Sequence, residues 1–120
     1  MLDKRNFYIN GKWVAPSKVN DFEVINPSNE EPFATISLGY KEDTDAAVEA
    51  AKNAFIKWKE TSKEERVSLL EKLLIIYKKR FNEMSEAITA EMGSPIDYSS
   101  STHTTSGQSH LEDFILRLKE

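Results

Sequence analysis

The side chains best suited to chemistry lie in the last third of the sequence. The eleven residues from Ser99 to Ser109 are rich in hydroxyl groups and hold no large apolar side chain. A nucleophilic hydroxyl needs a neighbouring base and an oxyanion site, and no such set of residues is visible, so we assign no catalysis to this stretch. His103 and His110 are seven residues apart, which is too far along a helix for adjacent metal ligands. A surface or capping role is favoured for both.

The composition excludes several classes of function. The chain has no cysteine, which excludes a disulfide, a thiolate metal site and a cysteine nucleophile within these residues. The net charge is −4 and the cations are interleaved with acidic residues, so nucleic acid is not an expected partner. No apolar run approaches the ~18 residues of a membrane helix, and the first ten residues do not resemble a secretory signal. The expected compartment is the cytoplasm.

One long helix is predicted between Ser62 and Pro95. Ser62 and Glu65 have the spacing of a capping box, and Gly93 followed by Pro95 ends the helix. Between these signals, apolar residues recur at three- and four-residue steps, at Val67, Leu70, Leu73, Leu74, Tyr77, Phe81, Met84, Ala87 and Ile88. The last turn carries Glu91, and a lone carboxylate near a helix end is more often solvated than a ligand.

Residues 1–40 are predicted to be rich in β-strands. Apolar extended segments occur at Phe7–Ile9, Trp13-Val14, Phe22–Ile25 and Phe33–Leu38. Asn10-Gly11 favours a tight hairpin between the first two segments. The residues from Asn26 to Asn29 favour a turn between the last two. Two or three short antiparallel strands are expected.

The rest of the chain is predicted to be helical. In residues 41–92 a helix that starts near Lys41 carries an alanine-rich face, which allows close packing against the long helix as an antiparallel pair. In residues 95–120 a third helix is predicted. Its hydroxyl-rich part is by composition typical of a linker, but it equally fits a helix pressed against a close neighbour. We expect a single partial domain of the α+β class, with a small antiparallel sheet, a helix pair and a third helix.

Four short motifs together resemble the amino-terminal region of the aldehyde dehydrogenase superfamily. In chain order they are Tyr8-Ile9-Asn10-Gly11-Lys12-Trp13-Val14, Val24-Ile25-Asn26-Pro27-Ser28, Lys41-Glu42-Asp43 leading into Ala46-Ala47-Val48 and Ala50-Ala51, and Glu91-Met92-Gly93-Ser94-Pro95. Their order and spacing cover essentially the whole sequence. The resemblance implies that the chain is the amino-terminal part of the α/β cofactor-binding region of a longer enzyme.

The resemblance implies an oxidoreductase that converts an aldehyde to a carboxylic acid with NAD or NADP. In that family a cysteine attacks the carbonyl to form a thiohemiacetal, hydride leaves to the nicotinamide, and water activated by a glutamate hydrolyses the thioester. This chain carries neither the catalytic groups nor the family's phosphate-binding glycines, so we expect it to be inactive alone. The implied partners are the remainder of the enzyme and further subunits of a homodimer or homotetramer, with no nucleic acid and no membrane.

The resemblance also implies two sites. The family often holds sodium or potassium between backbone carbonyls and a carboxylate, which here correspond to Val24, Ile25 and Glu91, and hard cations prefer such oxygen ligands. The stretch from His103 to Gly107 resembles the helix that lines the substrate entrance in several members. It places His103, Ser106 and Gly107 at that entrance.

A second interpretation is a free-standing, truncated and non-catalytic helical module that binds another protein. Such a module would expose apolar faces built for contact with the cofactor-binding domain, at Phe114, Ile115 and Leu118. Polar residues do not replace these side chains, which favours the enzyme interpretation.

Overall fold

The computed structural model describes all residues from 1 to 120, and the chain divides into two compact units, Met1–Glu60 and Thr61–Glu120. The strands lie in the first unit, at Leu2–Lys4 (β1), Phe7–Ile9 (β2), Lys12–Val14 (β3), Asp21–Asn26 (β4) and Glu31–Ser37 (β5). The helices are Lys41–Trp58 (α1), Lys63–Lys79 (α2), Phe81–Met92 (α3), Ile96–Tyr98 (α4) and Thr105–Lys119 (α5). A π-helical stretch, Ser99–Thr104, joins α4 to α5 and is called the π segment below. The predicted α+β class is confirmed.

The predicted first hairpin is confirmed. β2 and β3 pair in antiparallel register, with Phe7 opposite Val14. Asn10 and Gly11 between them have φ angles of 52° and 74°. Two consecutive positive φ angles match the twist of the flanking strands, and Asn-Gly is the residue pair that adopts them at low cost.

The second hairpin, β4 and β5, is closed by the predicted turn at Asn26. The Asn26 side chain accepts a hydrogen bond from the backbone N–H of Ser28 at 2.9 Å. The Asn26 carbonyl accepts from the backbone N–H of Glu30 at 2.8 Å. These hydrogen bonds pair backbone groups of the turn that the β-ladder leaves without partners.

β1 was not predicted, and it changes the sheet. It pairs in parallel with β5, so that the order β1-β5-β4 is mixed and not purely antiparallel as expected. Leu2 lies opposite Ala34. Because a parallel partner lies far along the chain and needs no hairpin turn, no local sequence signal marks this strand.

Helix α1 begins where Asp43 binds the preceding backbone. Its carboxylate accepts from the N–H of Tyr40 at 2.8 Å, and from the N–H and hydroxyl of Ser17 at 2.8 and 2.9 Å. The helix dipole also favours a negative charge in the first turn. These contacts, the bond from Tyr40 most strongly, lower the pKa of Asp43 from its usual 3.8, with a further contribution from the charge of Lys18.

The apolar face of α1 remains largely open. Its large side chains are 45–64% exposed, at Val48, Phe55, Ile56 and Trp58. Since α1 belongs to the first unit and α2 to the second, the antiparallel pair of helices stays a prediction.

The single helix predicted from Ser62 to Gly93 is in fact two helices. The predicted capping box is present, since the N–H of Glu65 donates to the Ser62 hydroxyl and the N–H of Ser62 donates to the Glu65 carboxylate. The predicted end is also confirmed, with Gly93 left-handed at a φ of 68°. At Arg80, however, the backbone leaves the helical region at φ −103° and ψ 17°.

The break at Arg80 follows from different packing partners on either side. α2 packs against α5, whereas α3 packs against the π segment, so each helix is aligned on a different partner. No glycine or proline stands at this point, and apolar periodicity alone therefore predicts one continuous helix.

The hydroxyl-rich stretch is helical, which decides between the two alternatives left open by composition. It runs from α4 through the π segment into α5 and is pressed against α3. None of the helices of the chain combines the length and the apolar character needed to span a bilayer.

We expect Asp43 to make stability depend on pH. Because the folded chain lowers the pKa of Asp43, its carboxylate stabilises the fold at pH values above the pKa of the unfolded chain. This contribution is lost as the pH falls through the lowered pKa of the folded chain. Asp43→Ala should lower the urea midpoint at neutral pH and flatten its fall between about pH 5 and pH 2. Glu49→Ala, an equal charge change in the same helix, is the control. Identical pH profiles for the two variants would contradict the assignment.

Candidate functional site

Four hydroxyl side chains pair in the interior of the second unit. Ser85 and Thr104 have their oxygens 2.8 Å apart, and Thr89 donates to the Ser99 hydroxyl at 2.8 Å. Ser85, Ser99 and Thr104 are at most 1% exposed. We call these four residues the hydroxyl cluster. It joins α3 to the π segment through side chains short enough for the two backbones to lie close together.

The π segment explains why Ser99 and Thr104 both face α3. In a regular α-helix, residues five apart point about 140° away from each other. π-helical bonding instead joins residues i and i+5, which brings them to one face. On α3, Ser85 and Thr89 are four residues apart and share a face. The two pairs therefore match in antiparallel order.

The hydroxyl cluster is suited to packing and not to nucleophilic chemistry. Ser85 also donates to the Phe81 carbonyl at 3.0 Å, so the Thr104 hydroxyl is the donor in its bond to Ser85. The bonds within the cluster join hydroxyls to each other, with no carboxylate or imidazole placed to take a proton. Across residues 1–120, no three or more His, Cys, Asp or Glu side chains converge as a metal site.

Tyr77 reaches from α2 to the point where the π segment becomes α5. Its hydroxyl donates to the backbone carbonyl of Thr104 at 2.9 Å. Gly107 lies against the same ring, and a Cβ atom there would be 2.5 Å from the Tyr77 hydroxyl oxygen and 3.2 Å from Cζ. Only glycine therefore fits while Tyr77 keeps this position.

The residues predicted to line the substrate entrance lie close together on the π segment and α5. His103 is half-buried and its ring meets the ring of Tyr98 edge-on, with the centroids 5.2 Å apart. Ser106 is exposed, whereas Gly107 is half-buried against Tyr77. Sequence reasoning did not single out Tyr98. It precedes His103 by five residues, a spacing that indicates contact only once the π segment is known.

Ion pairs on the surface join α2 to α5. Lys78 contacts Glu112 at 2.7 Å, and Lys119 contacts Glu71 at 2.7 Å. The hydrogen bond from Lys78 lowers the pKa of Glu112, assisted by its charge and by a bond from Gln108. Exposed pairs of this kind contribute little stability individually, but two of them along one contact favour a single alignment of the helices.

The predicted cation ligands belong to different units. Val24 and Ile25 lie on β4, and the register with β5 shifts between them. The shift leaves Phe33 of β5 without a partner, whereas Val24 and Ile25 each keep theirs. Glu91 is exposed in the last turn of α3. The cation site stays a prediction from the family resemblance.

Solved aldehyde dehydrogenases share this fold. An aldehyde dehydrogenase from Bartonella henselae superposes with a TM-score of 0.98 at 50% sequence identity, covering 99% of this chain and 25% of that one. A mutant of aldehyde dehydrogenase C from Pseudomonas syringae, solved with NAD+ and octanal, superposes with a TM-score of 0.94 at 32% identity, covering 97% and 24%. The fold is therefore that of a segment of an aldehyde dehydrogenase.

Sequence similarity identifies the family directly. The aldehyde dehydrogenase family model matches residues 13–118. The chain is 46% identical over 96 residues to a 3-succinoylsemialdehyde-pyridine dehydrogenase from a Pseudomonas species, covering 80% of this chain and 20% of that protein. The chain belongs to the aldehyde dehydrogenase family, which confirms the resemblance found in the sequence. It spans a fifth to a quarter of the length of these relatives.

We expect the hydroxyl cluster to stabilise the second unit as matched pairs. Ser85→Ala leaves the buried Thr104 hydroxyl without its acceptor, which should lower the free energy of unfolding by about 1–3 kcal/mol. The double variant S85A/T104V removes both partners and should cost less than the sum of the single changes. Urea unfolding measures each value.

The matched control is Thr102→Val, the same chemical change at an exposed position of the π segment. It should change the free energy of unfolding by less than about 0.5 kcal/mol. Strict additivity of S85A and T104V would show that the two hydroxyls do not depend on each other.

Proposed function

We propose that the chain is the amino-terminal part of an NAD(P)-dependent aldehyde dehydrogenase, which oxidises an aldehyde to a carboxylic acid. The observation that carries this proposal is the match to the Bartonella henselae aldehyde dehydrogenase, at 50% identity over 99% of the chain. The P. syringae relative was solved with NAD+, which supports a nicotinamide cofactor without choosing between NAD and NADP.

The chain would line the path by which the substrate enters, and it would supply no group that makes or breaks a bond. In the proposed reaction a thiolate adds to the aldehyde carbonyl, hydride passes to NAD(P)+, and water hydrolyses the thioester to release the acid and the thiol. The chain has no cysteine, so the thiolate must come from elsewhere in the enzyme. We assign the substrate entrance to His103 and Ser106, with Gly107 beside them. The contact of His103 with Tyr98 and the exposure of Ser106 support this role.

The open apolar surface favours a segment that the remainder of an enzyme covers. Phe114 is 70% and Leu116 57% exposed, more than isolated surface residues require. Ile115, which sequence periodicity places on the same open face, is only 7% exposed and is therefore part of the core. We propose that the full enzyme is a cytoplasmic homodimer or homotetramer. No feature specifically favours the alternative of a stand-alone interaction module.

A fusion enzyme tests the proposal. The chain replaces the matching amino-terminal quarter of the B. henselae aldehyde dehydrogenase, and reduction of NAD+ or NADP+ is followed with octanal and shorter aldehydes. We expect the fusion to be active and to lose its activity on thiol alkylation. We expect the isolated chain to be inactive. Sustained NAD(P)+ reduction by the isolated chain, or a folded but inactive fusion, would overturn the proposal.

The same fusion tests the entrance. Ser106→Phe should reduce kcat/KM for long aldehydes by on the order of tenfold, and for short ones less, because a bulky side chain excludes substrates by size. His103→Ala should change the aldehyde KM without changing that of the nicotinamide. Ser109→Phe and His110→Ala are matched controls on α5. Equal effects of variants and controls would contradict the entrance assignment.

We also propose the sodium or potassium site at Val24, Ile25 and Glu91. The family resemblance and the exposed carboxylate of Glu91 on α3 support it, since such cations take oxygen ligands. In the fusion enzyme, sodium or potassium should raise the Tm relative to tetramethylammonium at equal ionic strength. Glu91→Gln should weaken this rise, and Glu86→Gln, on the same helix, should not. An equal rise in both variants would exclude Glu91 as a ligand.

A further inference from the structure

Gly107 occupies a position where glycine is an unfavourable choice. It lies inside α5, and its backbone does not need glycine, because the only glycines with positive φ are Gly11 and Gly93. In a helix interior, glycine destabilises relative to alanine. The contact with Tyr77 accounts for it, since a Cβ atom would come within 2.5 Å of the hydroxyl oxygen. Glycine at this position therefore makes room for one particular hydroxyl group.

That hydroxyl acts on the end of the π segment. Tyr77 donates to the Thr104 carbonyl at 2.9 Å, while the Thr104 side chain bonds Ser85 at 2.8 Å. Thr104 is thus held through its carbonyl from α2 and through its hydroxyl from α3, and it is completely buried. The two bonds fix the residue at which π-helical backbone changes to α-helical backbone.

The position of this change decides where the neighbouring side chains point. An α-helix turns about 100° per residue, so a shift of the π turn by one residue would rotate His103 relative to Ser106. It would also separate His103 from Tyr98, which share a face through the five-residue spacing. π-helical turns within α-helices are frequent at functional sites.

We propose that Tyr77 is a positioning residue for the substrate entrance formed by His103 and Ser106. It acts through the Thr104 carbonyl, and Gly107 is required to admit its hydroxyl. This inference rests on the proposed function of the entrance. Tyr77 itself lies on α2, outside the helix that carries the entrance residues, so its effect on the substrate passes through the backbone of Thr104.

The test compares Y77F, G107A and the double variant Y77F/G107A in the fusion enzyme. Y77F removes only the hydroxyl and should raise the KM for long aldehydes roughly 3- to 10-fold, the range expected for one net hydrogen bond. The kcat and the nicotinamide KM should stay within about twofold. G107A should raise the aldehyde KM further and lower the Tm, because its methyl group and the hydroxyl cannot occupy the same space. Combined with Y77F, the G107A change should have a smaller additional effect, since the oxygen at 2.5 Å is gone and only the tight contact with Cζ at 3.2 Å remains.

Tyr8→Phe is the matched control, the same chemical change at an exposed tyrosine of β2, and it should leave all parameters unchanged. An equal effect of G107A with and without Y77F would overturn the proposed contact. If H103A changes the aldehyde KM but Y77F lowers only the Tm, the entrance stands and Tyr77 is merely structural. If neither H103A nor Y77F changes the aldehyde kinetics, the entrance proposal fails, and this inference fails with it.

Discussion

The close approach of α3 to the π segment is the constraint on which the second unit depends. Buried hydroxyls must find hydrogen-bond partners, and here they find one another, Ser85 with Thr104 and Thr89 with Ser99. Larger side chains would force the helices apart, and smaller ones would leave the register undetermined. A contact made of serine and threonine is therefore both tight and specific, although its composition resembles that of a linker.

This constraint links the interior of the unit to the proposed entrance. The residue that completes the hydroxyl cluster, Thr104, also accepts the hydrogen bond from Tyr77. One residue earlier, the same backbone places His103 against the ring of Tyr98. The hydrogen bonds of Thr104 and the position of the His103 ring are thus set by one stretch of backbone.

The chain has a small buried apolar core and a large exposed apolar surface. Only Ala34, Val67 and Ile115 are buried hydrophobic residues, whereas large side chains such as Phe55 and Phe114 remain open. A small apolar core and wide apolar faces are expected of a segment that completes its packing within a larger enzyme. The family assignment, and the fraction of its relatives that the chain spans, agree with this reading of the surface.

Local signals in the sequence determined the hairpin at Asn10-Gly11, the start of α2 at Ser62 and its capping box, and the helix end at Gly93, because each depends on backbone angles and bonds within a few residues. Four ordered motifs also determined the family.

The parallel strand β1, the break at Arg80 and the π segment were decided only by tertiary structure. Each depends on a partner distant in sequence: β5 for the strand, α5 and the π segment for the break, and α3 with Tyr77 for the π turn. The spacing of Ser99 and Thr104 acquires its meaning only when Ser85 and Thr89 lie opposite, since hydrogen bonding across helices has no signature within either helix alone.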